Sequence, residues 1–176
     1  MSTAPETAAQ AAQAAPAPAP APWYAAFPEP QSDLKTISRE EVLEMLKGNT
    51  GEKAGKDFIL VDLRRNDFEG GTLSSSLNLP AQSLHPTLPT LYTLLKSAGT
   101  TKVIFYCGSS TGRGSRCARW FSDYLVKVGD TSTESAGGIQ SLALLGGIKG
   151  WVAAGGEYLE FVEGFEGSVW ERAKSQ

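Results

Sequence analysis

The residues best suited to chemistry form one short loop between Cys107 and Arg113. The residues between them are all small: Gly108, Ser109, Ser110, Thr111 and Gly112. Such a loop lets successive backbone N–H groups turn inward and bind an anion, and an arginine adds a planar pair of donors that fits two oxygens of a tetrahedral oxyanion. The positive surroundings also favour the thiolate form of a cysteine. We therefore predict that Cys107 is a nucleophile aimed at the central atom of an oxyanion held by the loop and by Arg113.

The sequence on either side of this loop predicts the elements that position it. Residues 103–106 are a short run of β-branched and aromatic side chains, which is typical of a buried strand. From about Gly114 onward, apolar residues recur three or four positions apart, as in a helix: Cys117, Phe121, Leu125 and Val128. A helix that begins at the end of the loop directs its free N–H groups and the positive end of its dipole at the same anion.

The alternative interpretation is an ordinary strand–turn–helix connection, in which Cys107 is structural and Arg113 is exposed. A cysteine six residues before an arginine is a weak pattern by itself. The combination of strand, cysteine, Gly/Ser loop and helix is more specific, and we favour the catalytic interpretation.

Composition limits the partners of the chain. Its 176 residues, 41% of them hydrophobic, suffice for one core. The net charge of −3 argues against nucleic acid, but residues 102–127 carry five basic side chains against one acidic side chain, which suits an anionic substrate. No apolar run is long enough to cross a membrane, and two cysteines with one histidine predict neither a disulfide framework nor a metal site. The N-terminus has no signal-peptide pattern, so we expect a cytoplasmic protein, with the nucleus as a second possibility, and a monomer.

The chain divides into a tail and one domain. Residues 1–22 are rich in alanine and proline, ending in an Ala-Pro repeat, and are predicted to be disordered. Trp23, Tyr24 and Phe27 are too apolar for a free tail, so a single domain is expected over residues 23–170. Beyond Glu157 the chain is acidic, and three aromatic residues are expected to attach it to the domain: Phe161, Phe165 and Trp170.

Strands and helices are expected to alternate along the domain. Besides residues 103–106, the predicted strands are Thr36–Ile37, Phe58–Leu63, Leu77–Leu79 and Leu142–Leu145. The predicted helices follow the capping-box pair Ser38 and Glu41, cover Thr87–Ala98, and begin after Gly146; residues 65–76 and 130–138 are predicted loops. This order predicts an α/β sandwich of three layers, with a mainly parallel five-stranded sheet and helices on both faces. In such sheets ligands bind beyond the carboxyl ends of the strands, where Cys107 lies.

Four polar residues near the end of the second strand are possible accessory residues. Asp62 and Arg64 are interpreted mainly as a structural ion pair that fixes loops, with a role in the site as the alternative. Asp67 and Glu69 follow in the next loop and are candidate general acids.

Two further residues have a structural and a functional interpretation. Cys117 lies on the helix face expected to pack against the sheet, so core packing is favoured over a role as a resolving thiol for Cys107. His85 precedes a proline and is predicted to be exposed in a loop, with a role as general acid as the minor alternative.

Three motifs in a fixed order resemble those of rhodanese-like domains. Residues 61–80 contain Asp-Leu-Arg, Gly-Gly-Thr-Leu and Leu-Asn-Leu-Pro, which resemble the Asp-x-Arg, Gly-His-Ile and Asn-hydrophobic-Pro signatures of that family. Residues 144–151, Leu-Leu-Gly-Gly-Ile-Lys-Gly-Trp, are similar to its Leu-x-Gly-Gly-x-x-Gly-Trp signature. With the cysteine loop, the resemblance covers about residues 32–160 and implies a rhodanese-like fold. The usual histidine is replaced by Thr72, a change interpreted as tolerated.

The length of the cysteine loop separates branches of this family. Rhodanese sulfurtransferases have a shorter loop, whereas the spacing from Cys107 to Arg113 resembles that of the cell-division-cycle phosphatases and the fungal arsenate reductases. The resemblance implies an enzyme acting on a small oxyanion or a phosphorylated substrate, as a phosphatase, an arsenate reductase or both. No bound cofactor is implied, and an arsenate reductase would use glutathione or glutaredoxin as reductant. A sulfurtransferase and a non-catalytic binding module are the alternatives; the intact Cys107 and Arg113 argue against the module.

Overall fold

Seven strands are formed within residues 20–130 and 137–174, which the computed structural model describes. They are β1 (Thr36–Ile37), β2 (Phe58–Asp62), β3 (Thr72–Leu73), β4 (Ser76–Asn78), β5 (Lys102–Tyr106), β6 (Gln140–Leu144) and β7 (Val162–Glu163). Five of them form one sheet in the spatial order β1–β6–β5–β2–β4, and every neighbouring pair is parallel. Strands β3 and β7 form a separate antiparallel ribbon. The predicted five-stranded parallel sheet is therefore confirmed.

The helices begin and end largely where local signals place them. They are α1 (Arg39–Leu46), α2 (Ala81–Ala98), α3 (Arg113–Lys127), α4 (Gly147–Ala154) and α5 (Gly167–Lys174), with a 3-10 helix at Gly156–Phe161. The capping box of α1 is formed as predicted: the Ser38 hydroxyl accepts a hydrogen bond from the Glu41 N–H, and the Glu41 carboxylate accepts one from the Ser38 N–H.

Two hydrophobic cores lie on opposite faces of the sheet. Alternate strand residues point to opposite faces, so Val103 and Phe105 pack against α2 and α3, whereas Ile104 and Tyr106 pack against α1 and α4. All four side chains are fully buried. This gives the three layers expected from the sequence, and it fixes the end of β5, where Cys107 follows, between two rigid layers.

Segments at both ends of the domain pack onto these cores. Trp23, Tyr24 and Phe27 contact the core beneath α3 as expected, whereas residues 1–19 of the predicted disordered tail lie outside the described residues. At the other end, Trp170 packs against the opposite core and donates a hydrogen bond from its indole N–H to the Gly70 carbonyl (2.8 Å). Phe161 packs there as well, but the predicted attachment by Phe165 is wrong, since its side chain is exposed.

Helix α2 begins six residues earlier than predicted. The prolines at 86 and 89 suggested a start at Thr87, yet both lie inside a helix that begins at Ala81. A proline inside a helix removes one backbone hydrogen bond and crowds the preceding turn. In α2 this cost is offset by the burial of apolar residues on both sides of the prolines, from Leu84 to Leu95.

The predicted loop over residues 65–76 contains regular structure. Strand β3 lies within it, and β4 begins at Ser76 rather than at Leu77. Strand β3 was missed because it has only two residues and pairs with β7, which is about 90 residues later in the chain. No local pattern indicates such a pairing.

Candidate active site

The loop that follows β5 curls around the sulfur of Cys107. The Ser110 N–H donates a hydrogen bond to the Cys107 sulfur (3.2 Å), and the Cys107 N–H donates one to the Ser110 hydroxyl (3.3 Å). Ser110 adopts a positive φ of 59°, which turns its N–H inward. Cys107, Gly108 and Ser110 are buried, and Cys107 lines an open cleft of about 640 Å³ together with Gly108, Ser109, Thr111 and Gly112.

The first two carbonyl groups of the loop are held by α4. The Ile148 N–H donates to the Cys107 carbonyl (3.0 Å), and the Lys149 N–H donates to the Gly108 carbonyl (2.9 Å). This approach requires glycine at position 147, where φ is 55° and a Cβ atom would lie 2.6 Å from the Gly108 oxygen. With these carbonyls bound on the far side, the N–H groups are left to face an anion in the cleft.

Helix α3 begins directly at the loop and has no side-chain cap. Gly112 is its N-cap residue, so the first N–H groups of the helix are not bonded to a capping side chain. Gly114 allows the first turn to pack on Ser110, because a Cβ atom there would lie 2.8 Å from the Ser110 Cβ. The loop and the start of α3 therefore line the same cleft, where the Ser110 N–H and the positive end of the helix dipole both favour an anion.

Arg113 and Asp67 form an ion pair at the edge of the cleft. The two terminal nitrogens of Arg113 donate to the two carboxylate oxygens of Asp67 at 2.7 and 2.5 Å. The hydrogen bond from Arg113 lowers the pKa of Asp67 to about 2. Asp67 is therefore a carboxylate near neutral pH, and a role as general acid would require the pair to separate.

Asp62 and Arg64 form a second pair, which is buried and does not line this cleft. The Arg64 guanidinium donates to both Asp62 oxygens and to the carbonyls of Glu69 (2.9 Å) and Gly71 (2.5 Å). The Thr72 hydroxyl donates to Asp62 (2.9 Å). These bonds fix the chain between β2 and β3, in agreement with the structural interpretation of the pair.

The sequence profile described as the rhodanese-like domain matches residues 38–154, which is more than half of the chain. This chain belongs to the rhodanese-like domain family. The match includes the cysteine loop, both arginine–aspartate pairs and the turn into α4, so the geometry described above belongs to the family domain. The segments before residue 38 and after residue 154 lie outside the match.

Comparison with individual proteins places this rhodanese-like chain beside three others. It is 32% identical over 106 residues to "Arsenical-resistance protein 2" of Saccharomyces cerevisiae, covering 57% of this chain and 78% of that protein. The fold is shared with yeast Ygr203w, described as a protein tyrosine phosphatase of the Rhodanese family (TM-score 0.61, 20% identity, 80% of this chain and 99% of that one). It is also shared with the As-Sb reductase of Leishmania major (TM-score 0.52, 22% identity, 65% and 73%).

Thr72 stands where rhodanese-like domains usually have a histidine, and hydrogen bonds accommodate it in this chain. The Thr72 hydroxyl lies 2.8 Å from the Tyr106 hydroxyl in addition to its bond to Asp62. The Tyr106 hydroxyl also accepts the Leu73 N–H (3.1 Å) and donates to the Ser76 hydroxyl (2.8 Å). Burial, and then the charge of Asp62, raise the pKa of Tyr106 far above its usual range, so the phenol stays protonated. Threonine thus donates to Asp62 and lies in contact with the Tyr106 hydroxyl in this buried network.

Several residues of the cleft were not predicted as site residues. Trp23, Tyr24 and Pro30 line it from the N-terminal side, and the remaining additions are Gln82, Ser115, Arg116, Arg119 and Lys149. The excess of basic residues over positions 102–127 pointed to Arg116 and Arg119. Nothing in the sequence pattern linked Lys149 or the N-terminal aromatic residues to Cys107, because only the fold brings them together.

Two further candidate residues, Cys117 and Glu69, lie outside the active-site cleft. Cys117 is fully buried in the core beneath α3, as its helical position predicted, and burial raises the pKa of its thiol far above the usual range. Glu69 is exposed in a neighbouring cleft of about 880 Å³, which shares Asp67 and Lys149 with the active-site cleft. The functional roles of Cys117 and Glu69 stay predictions.

His85 is not an exposed loop residue, contrary to the prediction. It lies in α2, half-buried, and stacks on Phe27 (ring centroids 4.8 Å apart) beside Trp120 (5.0 Å). It lines a separate, more apolar groove of about 740 Å³ between α2 and α3, which contains neither Cys107 nor Arg113. Its contacts are those of a packing residue.

The described part of the chain contains neither a metal-binding cluster nor a membrane-spanning helix. Within residues 20–130 and 137–174, no group of His, Cys, Asp or Glu side chains has the geometry to hold a metal ion. No helix in that part is long and apolar enough to cross a membrane.

Proposed function

We propose that this rhodanese-like protein is a cysteine-dependent enzyme that acts on a tetrahedral oxyanion, and that arsenate is its main substrate. One observation carries the proposal: the Ser110 N–H is directed at the Cys107 sulfur, in a loop whose first two carbonyls are bonded to α4. An anion placed above the sulfur meets inward N–H groups, the start of α3 and Arg113 together. Such a site stabilises charge that develops on the oxygens during an attack by the thiolate.

The first step forms a bond between sulfur and arsenic. The Cys107 thiolate attacks the arsenic of the arsenate monoanion, which carries two hydroxyl groups. The As–O bond to one hydroxyl breaks, and this hydroxyl takes the proton of the other one and leaves as water. The arsenic keeps its oxidation state of +5 in this adduct. The loop N–H groups and Arg113 bind the remaining oxygens, where negative charge increases in the transition state.

The second step reduces arsenic and needs an external thiol. The thiolate of glutathione or of glutaredoxin attacks the Cys107 sulfur and forms a disulfide, while the S–As electron pair stays with arsenic. Arsenic is thereby reduced from +5 to +3 and leaves as arsenite, and two thiols are oxidised. A further thiol reduces the disulfide and restores Cys107. Cys117, which is buried and protonated, has no part in this scheme.

The protonation state of Asp67 supports arsenate over alkyl phosphates. An alkyl phosphate ester loses an alkoxide, which needs a general acid to protonate it. Asp67 is the carboxyl group beside Arg113, and the bond from Arg113 lowers its pKa from 3.8 to about 2. Either value leaves it without a proton to donate near neutral pH, whether the pair is closed or open. Arsenate can instead lose water, whose oxygen already carries one proton from the substrate. The yeast relative, whose name connects it with resistance to arsenicals, supports the same choice.

Hydrolysis of aryl phosphates is the second candidate function. Phosphate has nearly the size and shape of arsenate, so the same loop fits it, and aryl oxides leave without strong help from an acid. Trp23 and Tyr24 line the cleft and offer an apolar surface to an aromatic group. Sulfur transfer ranks behind both because the loop from Cys107 to Arg113 is longer than that of the rhodanese sulfurtransferases. A purely binding role ranks behind both because it needs neither Cys107 nor Arg113.

A parallel assay of three reactions tests the proposal. The wild-type chain is assayed with arsenate plus glutathione and glutaredoxin, with an aryl phosphate, and with thiosulfate plus cyanide. We expect arsenite formation to be fastest, slow aryl phosphate hydrolysis and no sulfur transfer. Cys107→Ser should abolish every reaction, because a serine hydroxyl is not ionised at neutral pH.

Cys117→Ser is the matched control, since it makes the same atomic change ten residues away. It should retain most arsenate reduction in the folded protein. If both serine variants are equally inactive while both remain folded, a two-cysteine relay replaces the scheme above. Fast transfer of sulfur to cyanide by the wild type, without arsenite formation, would assign the chain to sulfur transfer instead.

A further inference from the structure

The three arginines of the active-site cleft are already engaged by other groups. Arg113 is bonded to the Asp67 carboxylate. Arg116 donates to the Glu29 carboxylate (2.8 Å), and its guanidinium lies over the Tyr24 ring, 3.8 Å from the centroid. Arg119 donates to two backbone carbonyls, those of Ser32 (2.7 Å) and Pro30 (2.8 Å). An incoming anion must therefore replace an existing contact to use Arg113 or Arg116 fully.

Lys149 differs from these arginines, because it takes part in none of the ion pairs formed by the described residues of the site. Its side chain is exposed, and it lines both the active-site cleft and the neighbouring cleft. The Lys149 ammonium is thus a positive charge that an anion can meet without first displacing a carboxylate.

The backbone of Lys149 is fixed to the cysteine loop. Its N–H donates to the Gly108 carbonyl (2.9 Å), next to the bond from Ile148 to the Cys107 carbonyl. The aliphatic part of the side chain lies over Gly108: a Cβ atom at that position would be 3.6 Å from the Lys149 Cε and 3.9 Å from its Cδ. The lysine therefore follows the rim of the loop, one residue from the nucleophile.

We infer that Lys149 is a further substrate-binding residue of this site, which holds the outward oxygens of the oxyanion while the loop N–H groups and Arg113 hold the inner ones. The inference rests on the proposed oxyanion chemistry and adds a second cation to it. A tetrahedral anion whose central atom faces Cys107 directs at least one oxygen away from the loop, toward the rim. There a lysine ammonium neutralises charge as a compact point charge with three rotatable donors.

This role explains how a small anion is captured although Arg113 is paired. Lys149 attracts the anion to the rim first, and the bound anion then competes with Asp67 for Arg113. Attraction between the Lys149 ammonium and the net charge of the anion is about equal in the ground and transition states, so it changes binding more than turnover. The expected signature is therefore an effect on the half-saturating substrate concentration rather than on the maximal rate.

The test compares Lys149→Gln and Lys149→Arg with Lys127→Gln, in the full chain. Lys127 ends α3, is exposed and does not line the active-site cleft, so it controls for the loss of one positive charge. With saturating thiol, we expect Lys149→Gln to raise the half-saturating arsenate concentration about tenfold or more, as for the loss of a charge-assisted contact. Lys149→Arg should restore most of the affinity, and Lys127→Gln should match the wild type.

Direct binding separates this inference from the proposed function. Calorimetry with inorganic phosphate, on Cys107→Ser and on Cys107→Ser with Lys149→Gln, measures the oxyanion site without any turnover. Weaker binding in the double variant supports the role of Lys149 even if the wild type proves not to reduce arsenate. Equal binding by the two variants, or no phosphate binding by Cys107→Ser at all, overturns the inference. So does an unchanged half-saturating concentration in Lys149→Gln when arsenate reduction itself is observed.

Discussion

Two arginine–aspartate pairs, whose aspartates are only five residues apart in the chain, lie in very different surroundings. Arg64 and Asp62 have side chains that are 2% and 0% exposed, whereas Arg113 and Asp67 are 23% and 50% exposed. Both pairs are bidentate, and the closest distances differ by only 0.2 Å (2.7 and 2.5 Å). Geometry alone would therefore rank them as equals.

The two pairs differ in burial, and this difference gives them different functions. Separating two charges inside a protein leaves each of them without solvent, which costs several kcal/mol per ion, so the Arg64 pair is a permanent part of the fold. An exposed pair is worth about 0–1 kcal/mol, because water replaces the partner. The Arg113 pair can therefore open when a substrate anion arrives, as the proposed mechanism requires.

The largest effect is expected from Asp62→Asn. The substitution keeps the size of the side chain but leaves the Arg64 guanidinium as an unpaired buried cation, so the free energy of unfolding should fall by about 3–5 kcal/mol. Urea unfolding measures this loss. The same substitution at the other pair, Asp67→Asn, is the matched control and should change stability by about 1 kcal/mol or less. Equal losses in the two variants would mean that burial does not distinguish the pairs.

Arg113→Lys should have the next largest effect, on activity alone. Lysine keeps the charge but loses the planar fork that binds two oxygens, so the turnover number should fall about 10²- to 10³-fold, as when one preorganised donor is lost. Steady-state kinetics with arsenate and thiol measures the fall, and a thermal melt checks that folding is unchanged. Turnover at the wild-type rate would show that the bidentate contact contributes nothing to the transition state.

Asp67→Asn should have the smallest effect on activity, and in the opposite direction. Removal of the carboxylate frees Arg113 for the substrate, so the half-saturating arsenate concentration should fall about two- to fivefold, the value of an exposed pair. The measurement is a substrate titration at fixed thiol concentration. A rise instead would mean that Asp67 orients Arg113 for binding rather than competing with the anion.

The contribution of the Arg113–Asp67 pair to the stability of the protein should also depend on pH. The folded protein lowers the pKa of Asp67 from 3.8 to about 2. The stabilisation is therefore complete above about pH 4 and is lost as the pH falls toward 2. The difference in unfolding free energy between the wild type and Asp67→Asn, below about 1 kcal/mol because the pair is exposed, should be constant down to about pH 4 and disappear near pH 2. A difference that persists at pH 2 would contradict this origin.

The parts of the fold that depend on local pattern were predictable from the sequence. The apolar run before Cys107, the helix that begins at Arg113 and the capping box at Ser38 are each defined by residues a few positions apart. Their alternation sufficed to predict a parallel sheet, because parallel strands need long connections. The position of Cys107 at the edge of that sheet followed from the same reasoning.

The unpredicted features depend on contacts between distant parts of the chain. The pairing of Asp67 with Arg113 spans 46 residues, and the place of Lys149 beside Gly108 depends on how α4 docks. Helix α2 passes through two prolines because packing outweighs local preference, and His85 is half-buried because the N-terminal segment folds over it. Charge and spacing along the chain carry no information on such contacts.

The close approach of Gly147 to the cysteine loop has a consequence for protein engineering. The loop and the turn into α4 form one unit made of two separate stretches, joined by two backbone hydrogen bonds and by a contact that leaves no space for a side chain. A loop transplanted from a relative with a different loop length would present its carbonyls at other positions, and the host turn would no longer match them. Substrate preference in this scaffold is therefore best exchanged by transferring residues 107–113 and 146–149 together as one cassette.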